Sequence, residues 1–190
     1  MIVSLQNSVL TLDAFLKLPE TKPASEFMNG RIYQKTMPKG KHSRLQKDLI
    51  YTIDSKLRSA KIAEAFPELR CTFGGRSIVL DIAVIRRERI PVDESGEIAN
   101  NFLIYPDWTI EILSPDQHPS KVTSNILYCL DHGTQMGWSI DPDEKAVIAY
   151  PSDARSRYFD RPEHILPVPD WAIGLQLTIG DIFQSLQLEN

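Results

Sequence analysis

The stretch Arg76-Ser77-Ile78-Val79-Leu80-Asp81-Ile82-Ala83-Val84-Ile85 is rich in β-branched residues and almost continuously apolar. A strand covered on both faces reads this way. Asp81 interrupts it. A second run, Asp107-Trp108-Thr109-Ile110-Glu111-Ile112-Leu113, has the same character and again carries an acid in its interior, Glu111. Because side chains alternate along a strand, Asp81 is expected to share a face with Val79, Ala83 and Ile85, and Glu111 with Thr109 and Leu113. A lone carboxylate in such a setting is costly unless it is paired, hydrogen-bonded or metal-bound. Three arrangements meet that demand. Each acid pairs with an arginine or meets water at a strand end; or the two share a proton; or both converge on one cation, since neighbouring strands lie only about 4.8 Å apart. Carboxylate oxygens, with waters and a backbone carbonyl, suit Mg2+ or Mn2+.

Outward from these two strands the chain mixes helices and strands without strict alternation. Thr11 is placed to cap a short helix, Leu12 to Leu18, that Pro19 stops. Glu26 to Tyr33 reads as a hairpin around Asn29-Gly30, a pair suited to a turn whose two central residues need positive φ. Pro38, Lys39 and Gly40 form a loop, and from Lys41 to Ser59 the spacing of Leu45, Leu49, Ile53 and Leu57 predicts an amphipathic helix. Arg86 to Tyr105 is polar and reads as a long excursion. A helix is expected from Ser120 to Asp131, ended by His132-Gly133. Met136 to Ile140 and Ala146 to Tyr150 make a second hairpin, and a last helix is placed near Asp181 to Leu186. No internal repeat or linker divides the 190 residues, so one α/β or α+β domain with a mixed sheet is expected.

The formal net charge of -4 gives no global electrostatic footprint for nucleic acid, so any polyanion must be held by a local basic patch or a metal ion. The densest basic cluster is Lys35, Lys39, Lys41, Arg44 and Lys47, at a helix entrance able to hold a phosphate backbone; a solvated charged face explains the same run. Arg86, Arg87 and Arg89 follow the Asp81 strand. His42, His118, His132 and His164 show no zinc-type spacing. His42 is either a phosphate or site-water contact or a helix-start surface residue, and His132 is expected to cap a helix C-terminus. Cys71 and Cys129 are expected as buried thiols, and Trp108, Trp138 and Trp171 as core anchors. There is no P-loop, dinucleotide glycine motif or nucleophile elbow. The opening segment lacks a leader pattern and no apolar run is long enough to span a bilayer, so a cytoplasmic protein is expected.

An acid in one strand followed, after a gap, by an acid in a second resembles the PD-(D/E)XK nuclease superfamily. More specifically, the chain resembles the Uma family of putative restriction endonucleases. The likeness is carried by Leu10-Thr11-Leu12-Asp13-Ala14-Phe15-Leu16-Lys17-Leu18-Pro19, Glu26-Phe27-Met28-Asn29-Gly30, the segment through His42, and Val79-Leu80-Asp81-Ile82-Ala83-Val84. Tyr105-Pro106-Asp107-Trp108-Thr109-Ile110-Glu111-Ile112-Leu113-Ser114-Pro115 is the most specific piece, and Gly133 through Pro142 follows it. The likeness spans residues 10–150, leaving 151–190 as an extension.

The resemblance implies a restriction-endonuclease-like core, a mixed central sheet flanked by helices, carrying a divalent-metal phosphodiester hydrolase site. It assigns Asp81, Glu111 and the Ile112 carbonyl as ligands of Mg2+ or Mn2+, with Glu26 as an additional acid reaching the same site. It also implies a homodimer acting on DNA; the candidate substrate contacts are then those read from the helix entrance itself, His42, Lys39, Lys41 and Arg44. Two positions depart from the pattern. Leu80 stands where the motif has proline, and Leu113 stands where it has lysine. In the family the lysine tends to come from the following helix, where Ser124 occupies the expected place; Lys121, one turn earlier, is the replacement expected from spacing. The alternative reading is a nuclease scaffold that no longer cuts and serves as an interaction or oligomerisation module, with Asp81 and Glu111 satisfied internally.

Overall fold

The computed structural model describes residues 10–115 and 117–188. Residues 1–9, which hold most of the opening segment read above as lacking a leader, lie outside them.

Eight strands form one mixed sheet. They are β1 (Ser25–Met28), β2 (Arg31–Gln34), β3 (Ala63–Phe73), β4 (Arg76–Arg86), β5 (Trp108–Ile112), β6 (Met136–Asp141), β7 (Ala146–Pro151) and β8 (Arg157–Phe159). The helices are α1 (Leu12–Phe15), α2 (Gly40–Lys56), α3 (Pro119–Asp131) and α4 (Ile179–Gln184). The strand order is β2-β1-β4-β5-β6-β7-β8, with β3 also paired to β4. Among the paired strands named here only β5 and β6 run parallel, and α3 makes the crossover that a parallel pair requires. Among the described residues no helix is long and apolar enough to cross a membrane.

Burial follows from the pattern of apolar residues. Leu45, Leu49 and Ile53 of α2, with Leu57 just beyond it, pack into a large core with Ile82, Val84, Trp108, Ile110 and Trp138. Trp108 and Trp138 meet edge-on at 4.7 Å, a favourable quadrupole geometry. A smaller cluster gathers Met28, Cys71, Ile78, Leu80, Ala83 and Cys129. Both cysteines are free and buried, as expected.

Four sequence expectations need correction. Helix α1 ends at Phe15, not Leu18: Pro19 has no N–H to bond Phe15, and the Leu18 N–H bonds that carbonyl instead at 3.0 Å, tightening the last turn. The last helix begins at Ile179, where Thr178 and Asp181 form a capping box. Strands β3 and β8 were not anticipated. In β3, Pro67 and several charged residues mask the strand pattern, and they are tolerated because β3 lies near an edge, with β4 its one partner among the named strands and only a single bridge, Cys71 to Phe102, on its other side. Its turn, Gly74-Gly75, has φ of +56° and +88°, which glycine adopts without strain.

The fourth correction bears on the site. Strict alternation along β4 would send Ile78, Leu80, Ile82 and Val84 to one face. Instead Ile82 and Val84 join the α2 core while Ile78, Leu80 and Ala83 join the Cys129 cluster, so the alternation resets at Asp81. Opposite it in β3, Glu68 has φ of +46° and drops out of the ladder between the Pro67–Ile82 and Leu69–Leu80 pairs. The Asp81 carbonyl accepts from Gln46 Nε2 of α2 at 2.7 Å instead.

Candidate active site

Strand β3 takes one edge of β4 along its length, so the other edge is left to two strands. β1 pairs there at Ser77, and β5 pairs from Ile82 to Val84. Asp81 lies at the fork between them. Its Oδ2 accepts the Ile112 N–H of β5 at 2.8 Å. On the β1 side, Glu26 Oε1 accepts the Val79 N–H at 3.0 Å, so a carboxylate does the work of an absent strand partner. Glu111 stands next in line beside Asp81 along β5, since the β4–β5 register runs Val84–Trp108, Ala83–Thr109, Ile82–Ile110. All three acids are at most 2% exposed.

One ammonium serves Asp81 and Glu111. Lys35, immediately after β2, places Nζ 2.5 Å from Asp81 Oδ1, 2.7 Å from the Val79 carbonyl and 3.8 Å from Glu111 Oε2. Both in-strand acids are thus within reach of a single cation. Burial opposes the charge on Lys35, but Asp81 and then Glu111 outweigh it and hold the ammonium firmly protonated. Burial likewise pushes Asp81 up, yet Lys35, His42 and the Ile112 N–H bring it below the ordinary carboxylate range. Glu111 goes the other way. Its burial, with Asp81 and Glu26 nearby, raises it well above that range despite Lys35. Its Oε1 is buried and makes no hydrogen bond.

The remaining residues sort by distance. Lys121 reaches Glu26 Oε2 at 3.1 Å and lies 4.2 Å from the Tyr33 ring centre, so it meets the third acid rather than the Asp81–Glu111 pair. His42 is not a surface residue: it is 6% exposed, with Nε2 3.7 Å from Asp81 Oδ2 and Nδ1 3.3 Å from Ser114 Oγ. Lys41 and Arg44 are turned aside, to Asp143 at 2.6 Å and Asp48 at 2.7 Å. Lys39 precedes α2 as its N-cap, without a side-chain capping bond. Arg86 and Arg89 clamp the buried Asp107 at the far end of β4, at 3.0 and 2.7 Å. There the arginine-paired arrangement does hold; at Asp81 it does not. His132 bonds the Tyr128 carbonyl at the end of α3, as a C-terminal cap. A cleft of about 420 Å³ opens over the fork, lined by Glu26, Tyr33, Lys35, Glu111, Lys121 and Asn125 among others.

Sequence reasoning placed Lys35 only in a basic cluster and passed over Gln46 and Glu68. Nothing local marks Lys35 out from a surface lysine. Its burial comes from the β1–β2 hairpin folding against β4, a contact between residues 46 positions apart.

A sheet forked around buried acids, with helices on both faces, defines a restriction-endonuclease-like fold of the nuclease class. The chain belongs to the Uma2 family, described as "putative restriction endonuclease", whose family model matches residues 12–180. Among solved structures, the crystal structure of a "putative nuclease belonging to DUF820" from Anabaena variabilis ATCC 29413 is 57% identical, covering 94% of this chain and 99% of that one, with a TM-score of 0.91. Comparison with curated proteins gives no match.

Proposed function

We propose that this chain is a divalent-metal-dependent endonuclease that hydrolyses phosphodiester bonds of DNA at the Asp81–Glu111 fork. The observation that carries the reading is Lys35 Nζ held between these two acids, because it brings together the acid pair and the lysine that such chemistry needs. The donor set fits a hard dication: carboxylates converge, and the buried Glu111 Oε1 has no partner. Asp81, Glu111 and the Ile112 carbonyl are the residues to hold it, with Glu26 beside them. Bound there, Mg2+ or Mn2+ would neutralise the scissile phosphate and lower the pKa of its water.

The protein's own groups then have distinct tasks. Lys35 keeps a full positive charge at the fork and stabilises charge building on the phosphate oxygens. Lys121 anchors Glu26 and presents a second cation to the cleft. The Ile112 N–H fixes the orientation of Asp81. Leu113 at the motif lysine position favours a scaffold that does not cut, but Lys35 supplies an ammonium from the segment just after β2. Cutting both strands together requires two such sites, and so a homodimer. Supercoiled plasmid incubated with the protein and Mn2+ or Mg2+ should be nicked, and Asp81→Ala should abolish nicking. Equal cleavage by both proteins discards the assignment.

A further inference from the structure

We propose that His42, Glu68 and Asp81 form a second cation position, on the Oδ2 side of Asp81, that takes a divalent first-row transition metal in preference to Mg2+. One ligand atom from each of the three lies within 4.8 Å of the others. The independent observation is His42. Its Nε2 is buried, makes no hydrogen bond, and faces Asp81 Oδ2 at 3.7 Å. Its Nδ1 meets Ser114 Oγ at 3.3 Å, which is how a ligating imidazole is oriented: one nitrogen held by a polar partner, the other left for the ion.

Glu68 is brought in by the same break that sets Asp81. Gln46 Nε2 donates to the Asp81 carbonyl at 2.7 Å and to Glu68 Oε1 at 3.2 Å, so one α2 side chain ties the two acids together. Glu68 is exposed, which gives the position an opening to solvent. Asp81 then serves two positions, one oxygen toward Lys35 and Glu111, the other toward His42. The ligand chemistry sets the ion. Mg2+ demands oxygen donors and gives up its waters reluctantly, whereas imidazole nitrogen suits Mn2+, Co2+ or Zn2+. The inference concerns ion binding and does not depend on whether the chain cuts DNA.

The test uses the full chain loaded with less than one equivalent of Mn2+ and read by pulsed electron paramagnetic resonance. A nitrogen coupling from a bound imidazole is expected in the parent protein, persisting in excess Mg2+ and absent in His42→Gln. Glu68→Gln, at an exposed position, should weaken Mn2+ binding by about tenfold or more while keeping the coupling. Mn2+ bound with no nitrogen coupling overturns the proposal and leaves an all-oxygen centre intact. A coupling that survives His42→Gln overturns it as well, and points to His118 in the adjoining cleft. Absence of any Mn2+ binding overturns both this position and the metal dependence proposed above; a coupling without cleavage overturns only the nuclease reading. Should His42→Gln fail to fold, unchanged affinity in Glu68→Gln overturns the three-ligand site.

Discussion

Lys35 Nζ and Asp81 Oδ1 stand 2.5 Å apart at the fork of the sheet, both nearly excluded from solvent. The pair joins the end of a hairpin to the middle of the longest buried strand. Removing one partner of such a pair leaves an uncompensated charge, which costs far more than an exposed ion pair.

Lys35→Met should therefore destabilise the protein by about 3–5 kcal/mol in chelator. Millimolar Mn2+ should recover more of the melting temperature in this variant than in the parent, because the ion replaces the lost positive charge. Thermal melts with and without metal check this; equal shifts would mean that Lys35 and the ion do not share the acids.

On cleavage, Lys35→Met should lower the rate by about 10²–10³-fold, the usual loss when one charge-stabilising group is removed. Lys121→Met should lose less, since Lys121 meets Glu26 and not the Asp81–Glu111 pair. Plasmid-nicking rates at saturating metal rank the two, and the reverse order would restore Lys121 to the central role.

The pH dependence follows from Glu111, whose folded value is raised by burial and by Asp81 and Glu26, against the pull of Lys35. A raised value contributes stability fully present below the unfolded value and lost as pH climbs through the folded one. Above the ordinary 4.5, then, metal-free Glu111→Gln should gain on the parent as pH rises. Asp81 has the opposite sign: its contribution is lost only as pH falls through its lowered value, so it does not blur this window. Metal binding should release a proton below the folded Glu111 value and tighten with pH, which calorimetry in two buffers reads directly.

Asp107→Asn supplies the control. It breaks the clamp with Arg86 and Arg89 at the other end of β4. Loss of stability by several kcal/mol is expected, with Mn2+ affinity unchanged. A weakened affinity would mean that the site depends on that end of the strand.

The β3–β4 turn offers a test of fold alone. A Cβ on Gly74 would meet His132 Nε2 and the Tyr128 hydroxyl, whereas one on Gly75 meets nothing within 4 Å. Both carry positive φ, at about 1–3 kcal/mol for a non-glycine residue. Gly74→Ala should melt well below Gly75→Ala, and equal melting would mean that α3 yields to the turn.

Asp81 and Glu111 could be picked out from the sequence because a charge in an apolar strand is a local anomaly, visible against its own neighbours, whereas Glu26 was pointed to by the family resemblance alone. The Asn29-Gly30 hairpin, the α2 stripe and the two acid-bearing strands were legible for the same reason: periodicity and turn chemistry act over a few residues. Lys35, Gln46, His42 and Glu68 were decided only in three dimensions. Each is an ordinary polar residue where it stands, and its environment comes from elements brought beside β4 from elsewhere in the chain. The reset of alternation at Asp81 belongs with them, since it depends on a β3 strand whose proline and charges conceal it. Local pattern specifies which side chains are out of place; tertiary packing alone specifies what is placed against them.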